Sequence, residues 1–129
     1  MEIIKEVLKK YKNIALIGAS KDLTKTSSVV MKYLQDYGFK VYPVNPSMKG
    51  ESILGEKVFG NIKEIDGPIE IVDVFRPSNE AAEIAKDAIK VKAKVLWLQL
   101  DIKNEEAKKI VEANNILYIE NKCTKIEFE

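Results

Sequence analysis

Short apolar runs alternate along this chain with longer stretches in which apolar residues recur every three or four positions. Apolar runs of four to six residues bounded by Gly, Pro or polar residues are typical of buried strands, and the periodic stretches are typical of amphipathic helices. We predict five strands from this pattern. They comprise residues 14–17, 39–44, 70–75, 94–98 and 116–119.

Helix signals occupy most of the intervals. Apolar residues recur at helical spacing over 3–11 and 29–37, and Gly38 is placed to end the second of these helices. Ser78 is predicted to cap the helix after the third strand, and Asn104 to begin the helix after the fourth. The order of elements is therefore strand, helix, strand, repeated along the chain.

This order predicts an α/β fold: a single Rossmann-like domain over residues 1–129, with a five-stranded, mostly parallel sheet and helices on both faces. Pro43 indicates that the second strand is less buried than the first. Residues 45–67 are predicted to form a loop with short elements at most. Ligands on such sheets bind beyond the carboxyl ends of the strands, so the residues that follow each strand are the candidates for a site.

Composition excludes several classes of function. The chain has 129 residues with 21 basic against 20 acidic side chains, and this balance argues against broad binding to nucleic acid or to a membrane surface. It has no histidine, which excludes Ser-His-Asp and Cys-His catalysis, and we assign no catalytic or metal-binding residue. One cysteine and a charged N-terminus without an apolar run lead us to expect a cytoplasmic protein.

The polar loop after the first strand carries the first candidate motif. A glycine there lets a ligand approach the backbone closely, and hydroxyl and N–H groups at the start of the next helix can hold a phosphate. An ordinary turn whose hydroxyls cap the helix explains the same residues equally well. The candidate residues are Gly18, Ala19, Ser20, Lys25, Thr26, Ser27 and Ser28.

Asn45, Pro46 and Lys49 follow the second strand, where an NAD site usually has an acidic side chain for the ribose hydroxyls. A lysine in this region suits a phosphate on the ribose, as in coenzyme A or NADP. The alternative is a loop stiffened by proline, with a solvated lysine.

Three further candidate positions follow the later strands. Phe75 and Arg76 are suited to flank an adenine and a phosphate, or are a core residue and a surface ion-pair partner. Gln99 and Leu100 follow the fourth strand, where an amide can bind an amide-bearing chain. Cys123 follows the fifth; a free cysteine is more often a small buried hydrophobe than a nucleophile, and no histidine is present to activate it.

These motifs resemble, in order and register, those of the stand-alone coenzyme A-binding proteins. That family is related to the nucleotide-binding domain of succinyl-CoA synthetase alpha chains and of ADP-forming acyl-CoA synthetases. The matching segments are 18–20 with 25–28, 41–46, 73–76, 97–100 and 123–127. Many relatives have glycine where this chain has Asp101, and histidine where it has Phe128.

The resemblance implies that coenzyme A is the ligand, with its 3′-phosphate ADP near strands one to three and its pantetheine extending past strand four toward strand five. Lys49 is the first candidate for the 3′-phosphate and Lys25 the second. The larger ligases use a phosphorylated histidine from a further domain, so we do not expect this chain to complete a ligase reaction alone. The predicted function is binding of coenzyme A or a short acyl-CoA. The alternatives are a detached subunit that needs a protein partner for catalysis and, less favoured, an NADP-linked oxidoreductase.

Overall fold

The computed structural model describes residues 2–129. An α-helix fills each interval between sheet strands, as the apolar periodicity predicts, except residues 45–70, which hold 3₁₀ turns and a short hairpin. The helices are α1 (Glu2–Lys10), α2 (Thr26–Asp36), α3 (Ala81–Lys90), α4 (Glu105–Glu112) and α5 (Thr124–Phe128). The strands are β1 (Asn13–Ile17), β2 (Lys40–Val44), β3 (Ser52–Ile53), β4 (Glu56–Lys57), β5 (Ile71–Val74), β6 (Val95–Leu98) and β7 (Leu117–Ile119). None of the described helices is long and apolar enough to span a bilayer.

The main sheet has the strand order β2-β1-β5-β6-β7, and every pair within it is parallel. Within the sheet, β2 lies on one side of β1 and β5 lies on the other side. The strand order thus reverses beside β1, and this is where open parallel sheets form their ligand clefts. Pro43 lies in the edge strand β2, where a residue without an N–H group is tolerated.

Alternate residues of the buried strands supply two separate cores. Ile14, Leu16 and Trp97 face a cluster that includes residues of α1 and α2, with Phe128 of α5 packed against it. Ala15 and neighbouring strand residues of the opposite face pack against α3 and α4. Every residue of β5 and of β6 is buried, as expected for strands covered on both sides. The predicted α/β class, with five parallel strands and helices on both faces, is confirmed.

Some details differ from the prediction. Ser78 does not cap α3: it begins a 3₁₀ turn, Ser78–Glu80, and its hydroxyl accepts a hydrogen bond from the Lys103 N–H at 3.1 Å. Asn104 does cap α4, since its side chain accepts from the Ala107 N–H at 2.8 Å. The short hairpin β3–β4 lies within the segment predicted to be loop-like, and α5 was not predicted because five residues carry too little periodicity.

A buried polar cluster fastens α5 to the sheet. Asp73 of β5 is fully buried and accepts hydrogen bonds from the Gln99 amide and from the Thr124 hydroxyl, the latter at 3.1 Å. The Gln99 amide also donates to the Thr124 hydroxyl at 3.1 Å. Burial raises the pKa of the Asp73 carboxyl to about 7, and the bonds from Gln99 and Thr124 only partly oppose that rise. The group is therefore protonated in the folded chain at a pH where it ionises in the unfolded chain.

The raised pKa of Asp73 predicts a distinct pH dependence of stability. Because the folded chain holds this proton up to about pH 7 and the unfolded chain loses it near 3.8, the free energy of unfolding falls as pH rises between these values. Asp73→Asn keeps the shape of the cluster and removes the titration. Urea unfolding from pH 4 to 8 should show the stability of the wild type, relative to this variant, falling by at least about 1 kcal/mol. A pH-independent difference would contradict the assignment.

Candidate functional site

Gly18, directly after β1, is held in a conformation that suits glycine. Its φ is +96°, and a Cβ at this position would lie 3.1 Å from the backbone carbonyl atoms of Phe75 and 3.2 Å from Cδ of Arg76. The Gly18 and Ala19 N–H groups both donate to the Val44 carbonyl, at 3.1 and 3.3 Å. The carboxyl ends of β1, β2 and β5 therefore meet closely at this residue, and a Cβ atom there would force its neighbours to shift slightly.

A cavity of about 370 Å³, here called the loop chamber, opens between this loop and the start of α2. The first turn of α2 contains no acidic side chain, and Lys25 at its N-cap makes no side-chain capping bond. The first N–H groups of a helix lack intrahelical partners and carry the positive end of the helix dipole. The chamber therefore offers N–H groups, hydroxyls and a lysine to an anion. Its lining comprises Gly18, Ala19, Ser20, Lys25, Thr26, Ser27, Asn45, Phe75 and Arg76.

The loop itself is shaped by its own hydroxyls. Ser28 is buried, and its hydroxyl donates to the Ser20 carbonyl at 2.5 Å. The Ser20 hydroxyl accepts from the Asp22 N–H at 3.0 Å. Asp22 in turn accepts from the N–H and the hydroxyl of Thr24, and these bonds lower the pKa of its carboxyl. Ser28 therefore holds the loop in shape and does not line the chamber.

A second cavity of about 470 Å³, here called the apolar chamber, lies on the side of α3. Its aliphatic walls come from the ends of β1 and β2, from the segment after β4 and from α3, and several polar side chains stand among them. Its lining comprises Ile17, Gly18, Val44, Asn45, Pro46, Ser47, Gly60, Asn61, Ile62, Arg76, Glu80, Ile84 and Asp87.

Asn45 lies between the two chambers and is fixed by hydrogen bonds. Its amide nitrogen donates to the Ala19 carbonyl at 2.9 Å, and its amide oxygen accepts from the N–H and the hydroxyl of Ser47 at 3.0 and 2.8 Å. It therefore ties the loop after β1 to the loop after β2. The position that holds an acidic residue in NAD sites carries a structural amide in this chain.

Arg76 also borders both chambers. Its guanidinium forms a two-pronged ion pair with Glu80, with Nε–O and Nη2–O distances of 3.0 and 2.7 Å. The hydrogen bonds and opposite charge of this pair lower the pKa of Glu80 and raise that of Arg76. Phe75, beside it, is half-buried, lines the loop chamber and packs against the core. The core contact of Phe75 and the ion pair of Arg76 match one of the two alternatives, and contact of these residues with an adenine and a phosphate stays a prediction.

Besides Ser28, four predicted site residues line neither chamber. Lys49 is exposed and pairs with Glu64 at 2.9 Å, although its Cδ lies against Gly60 at the rim of the apolar chamber. Gln99 is 4% exposed, and its amide nitrogen bonds within the buried cluster. Cys123 is 6% exposed and belongs to the core, whereas Leu100 is 52% exposed at the end of β6.

Asp101 follows Leu100 at a position where many relatives have glycine, and its backbone conformation explains how the turn is kept. Asp101 has a φ of +67°, the left-handed region that glycine adopts without strain. Its N–H donates to the side-chain oxygen of Asn121 at 2.7 Å, and Asn121 has a φ of +56°. The turn thus keeps, with Asp101, the backbone conformation that a glycine allows in relatives.

Several residues of the apolar chamber were missed from the sequence. Asn61 and Ile62 lie in the segment predicted only as loop, and the charges of Glu80 and Asp87 are ordinary for the solvent face of a helix. The spacing of four residues between Arg76 and Glu80 was the one signal that could have identified a member of this group.

Proteins of similar sequence and structure show the family to which this chain belongs. YneT of Bacillus subtilis, itself uncharacterised, is 39% identical over 123 residues, or 95% of this chain and 90% of that protein. A hypothetical protein from Pyrococcus horikoshii superposes with a TM-score of 0.93 at 39% identity, covering 98% of this chain and 87% of that chain. The alpha subunit of ADP-forming acetate–CoA ligase II from Pyrococcus furiosus is 40% identical over 67 residues, 51% of this chain but 14% of that subunit. The family model described as the CoA binding domain matches residues 12–129, and the chain belongs to that family.

Proposed function

We propose that residues 1–129 form one module that binds coenzyme A or a short acyl-CoA at the carboxyl edge of the sheet. The observation that carries this proposal is the meeting of two chambers over Gly18, where a Cβ would press on the backbone of Phe75. A bare backbone between an anion-binding chamber and an apolar chamber fits a ligand made of a diphosphate joined to a flat base. Membership of the CoA binding domain family supports the same ligand.

In this proposal the diphosphate lies in the loop chamber. The N–H groups at the start of α2 and the hydroxyls of Thr26 and Ser27 bind its oxygens, and Lys25 balances part of its charge. Since no carboxylate occupies the first turn of α2, nothing there repels a phosphate. Ser28 and Asn45 act indirectly, because their bonds to the Ser20 and Ala19 carbonyls hold the loop in shape.

The adenosine then occupies the apolar chamber. Ile17, Val44 and Ile84 provide the aliphatic surface on which a base packs, and Asn61 and Asp87 supply polar groups for its edge or for the ribose. Lys49 remains our candidate for the 3′-phosphate, because its side chain lies against Gly60 at the rim of this chamber.

The pantetheine arm is proposed to leave the loop chamber beside Phe75 and to cross the ends of β6 and β7. Leu100, which is 52% exposed, offers it an apolar contact. Gln99 and Cys123 face inward, so their part is to hold the surface beneath the arm. These 129 residues contain no histidine, and the similarity to the ligase subunit covers 14% of that subunit, so the proposal includes no ligase chemistry.

The proposed ligand can be tested by thermal unfolding. Coenzyme A at one hundred times its dissociation constant should stabilise the protein by about 2.7 kcal/mol and raise the melting temperature by several degrees. NAD at the same concentration should leave it unchanged, because Asn45 stands where a ribose-binding carboxylate would be needed. Equal stabilisation by both compounds, or by neither, would refute the proposal.

The assignment of Lys49 predicts a difference between two closely related ligands. Removing a charged partner of the 3′-phosphate costs roughly 1.5 kcal/mol, which corresponds to about a tenfold loss of affinity. Lys49→Ala should therefore weaken coenzyme A about tenfold and dephospho-coenzyme A by less than twofold in titration calorimetry. The same loss for both ligands would show that Lys49 does not contact that phosphate.

A further inference from the structure

In the described part of the chain, three residues line both chambers, and one of them has a side chain that only an exposed ion pair holds. Both chambers are lined by Gly18, Asn45 and Arg76. The first of these has no side chain, and the second is fixed by bonds to the Ala19 carbonyl and to Ser47. Only the side chain of Arg76 can therefore change the opening between the chambers.

Arg76 is held in place by a contact that is easily broken. Its Cδ lies beside Gly18, and its guanidinium pairs through two nitrogens with both carboxylate oxygens of Glu80, four residues further along the chain. The side chains are 48% and 43% exposed, and ion pairs of such exposure contribute little to stability. The pair orders the arginine without fixing it permanently.

We propose that the Arg76 side chain, latched to Glu80, is a gate that a ligand must open in order to occupy both chambers. This inference rests on the proposed function, since a nucleotide places its phosphates in one chamber and its base in the other. As the ligand passes over Gly18, the guanidinium leaves Glu80 and moves out of the opening. Glu80 is then a residue that sets affinity without needing to touch the ligand.

Because of the latch, a ligand that extends through the opening must break the ion pair between Arg76 and Glu80. Glu80→Gln removes the charge that holds Arg76 and keeps the size of the side chain. A two-chamber ligand should bind this variant two- to fivefold more tightly, which is the range expected for a half-exposed ion pair. The gain should shrink at high salt, because ions screen the pair in the wild type.

Comparing adenosine diphosphate with inorganic pyrophosphate shows whether a gain in affinity comes from the gate or from the loss of a negative charge alone. The first fills both chambers, whereas the second fits the loop chamber alone. Glu83→Gln is the matched control, because Glu83 lies on α3 with a side chain 81% exposed, pairs with Lys86 at 3.1 Å and lines neither chamber. Titration calorimetry should show tighter binding of adenosine diphosphate to Glu80→Gln alone, with pyrophosphate binding equally to both variants.

A second measurement follows Arg76 in the wild type. Its Nε–H resonance in the nitrogen–proton spectrum should move when adenosine diphosphate is added, because the bond to Glu80 is broken, and should stay in place when pyrophosphate is added. The gate is refuted if pyrophosphate gains as much affinity as the nucleotide in Glu80→Gln, if the two variants behave alike, or if adenosine diphosphate binds none of the proteins.

Coenzyme A is titrated in parallel to keep the two proposals apart. If coenzyme A fails to bind the wild type while adenosine diphosphate behaves as expected, the proposed ligand is wrong and the gate stands. If coenzyme A binds the wild type and both variants with equal affinity, the ligand stands and the gate is wrong.

Discussion

The backbone of the loop after β1 lies against the backbone of Phe75 at Gly18, and the geometry of the candidate site depends on this close approach. Three strand ends converge there because β1 stands between β2 and β5, at the point where the strand order reverses. With a Cβ at position 18 the strands could not meet as they do without a shift of the loop. The two chambers are neighbours for this reason, and one ligand can extend across both.

Hydrogen bonds on either side of Gly18 preserve this arrangement. Ser28 and Asn45 bind the carbonyls of the two residues that follow it, and the Val44 carbonyl accepts from the loop itself. At the other end of the carboxyl edge, the cluster around Asp73 fastens α5 beneath the surface assigned to pantetheine. A site fixed in this way needs little rearrangement on binding, which limits the entropic cost of association.

The sequence was informative where a residue type has one physical use. Asn104 before a helix and Pro43 in a less buried strand each predicted their surroundings correctly. Gly18 does allow a close approach, but to the backbone of Phe75, and its contact with a ligand stays a prediction. The sequence was less informative where several uses compete. Gln99 offers the same amide to a ligand or to a buried carboxylate, and only the pairing of β5 with β6 brings Asp73 within its reach.

The apolar chamber shows the same limit more strongly. Its walls come from segments far apart in the chain, and no local pattern marks Asn61 or Asp87 as neighbours of Val44. Conversely, serine is a typical helix-capping residue, but Ser78 accepts a hydrogen bond from the loop before α4 instead. Tertiary contacts decided these cases, and local propensity could not have predicted them.

The central claim is that the close backbone approach at Gly18 gives the two chambers the shape that the ligand needs, and paired glycine substitutions test it most directly. Gly18→Ala and Gly38→Ala both place a side chain at positive φ, +96° and +91°, but nothing lies within 4 Å of the new Cβ at Gly38. Each should lose on the order of 1 kcal/mol of stability or more. In titration calorimetry on folded protein, Gly18→Ala should bind coenzyme A at least about tenfold more weakly, whereas Gly38→Ala should match the wild type. Equal affinity of the two variants for coenzyme A would contradict the account.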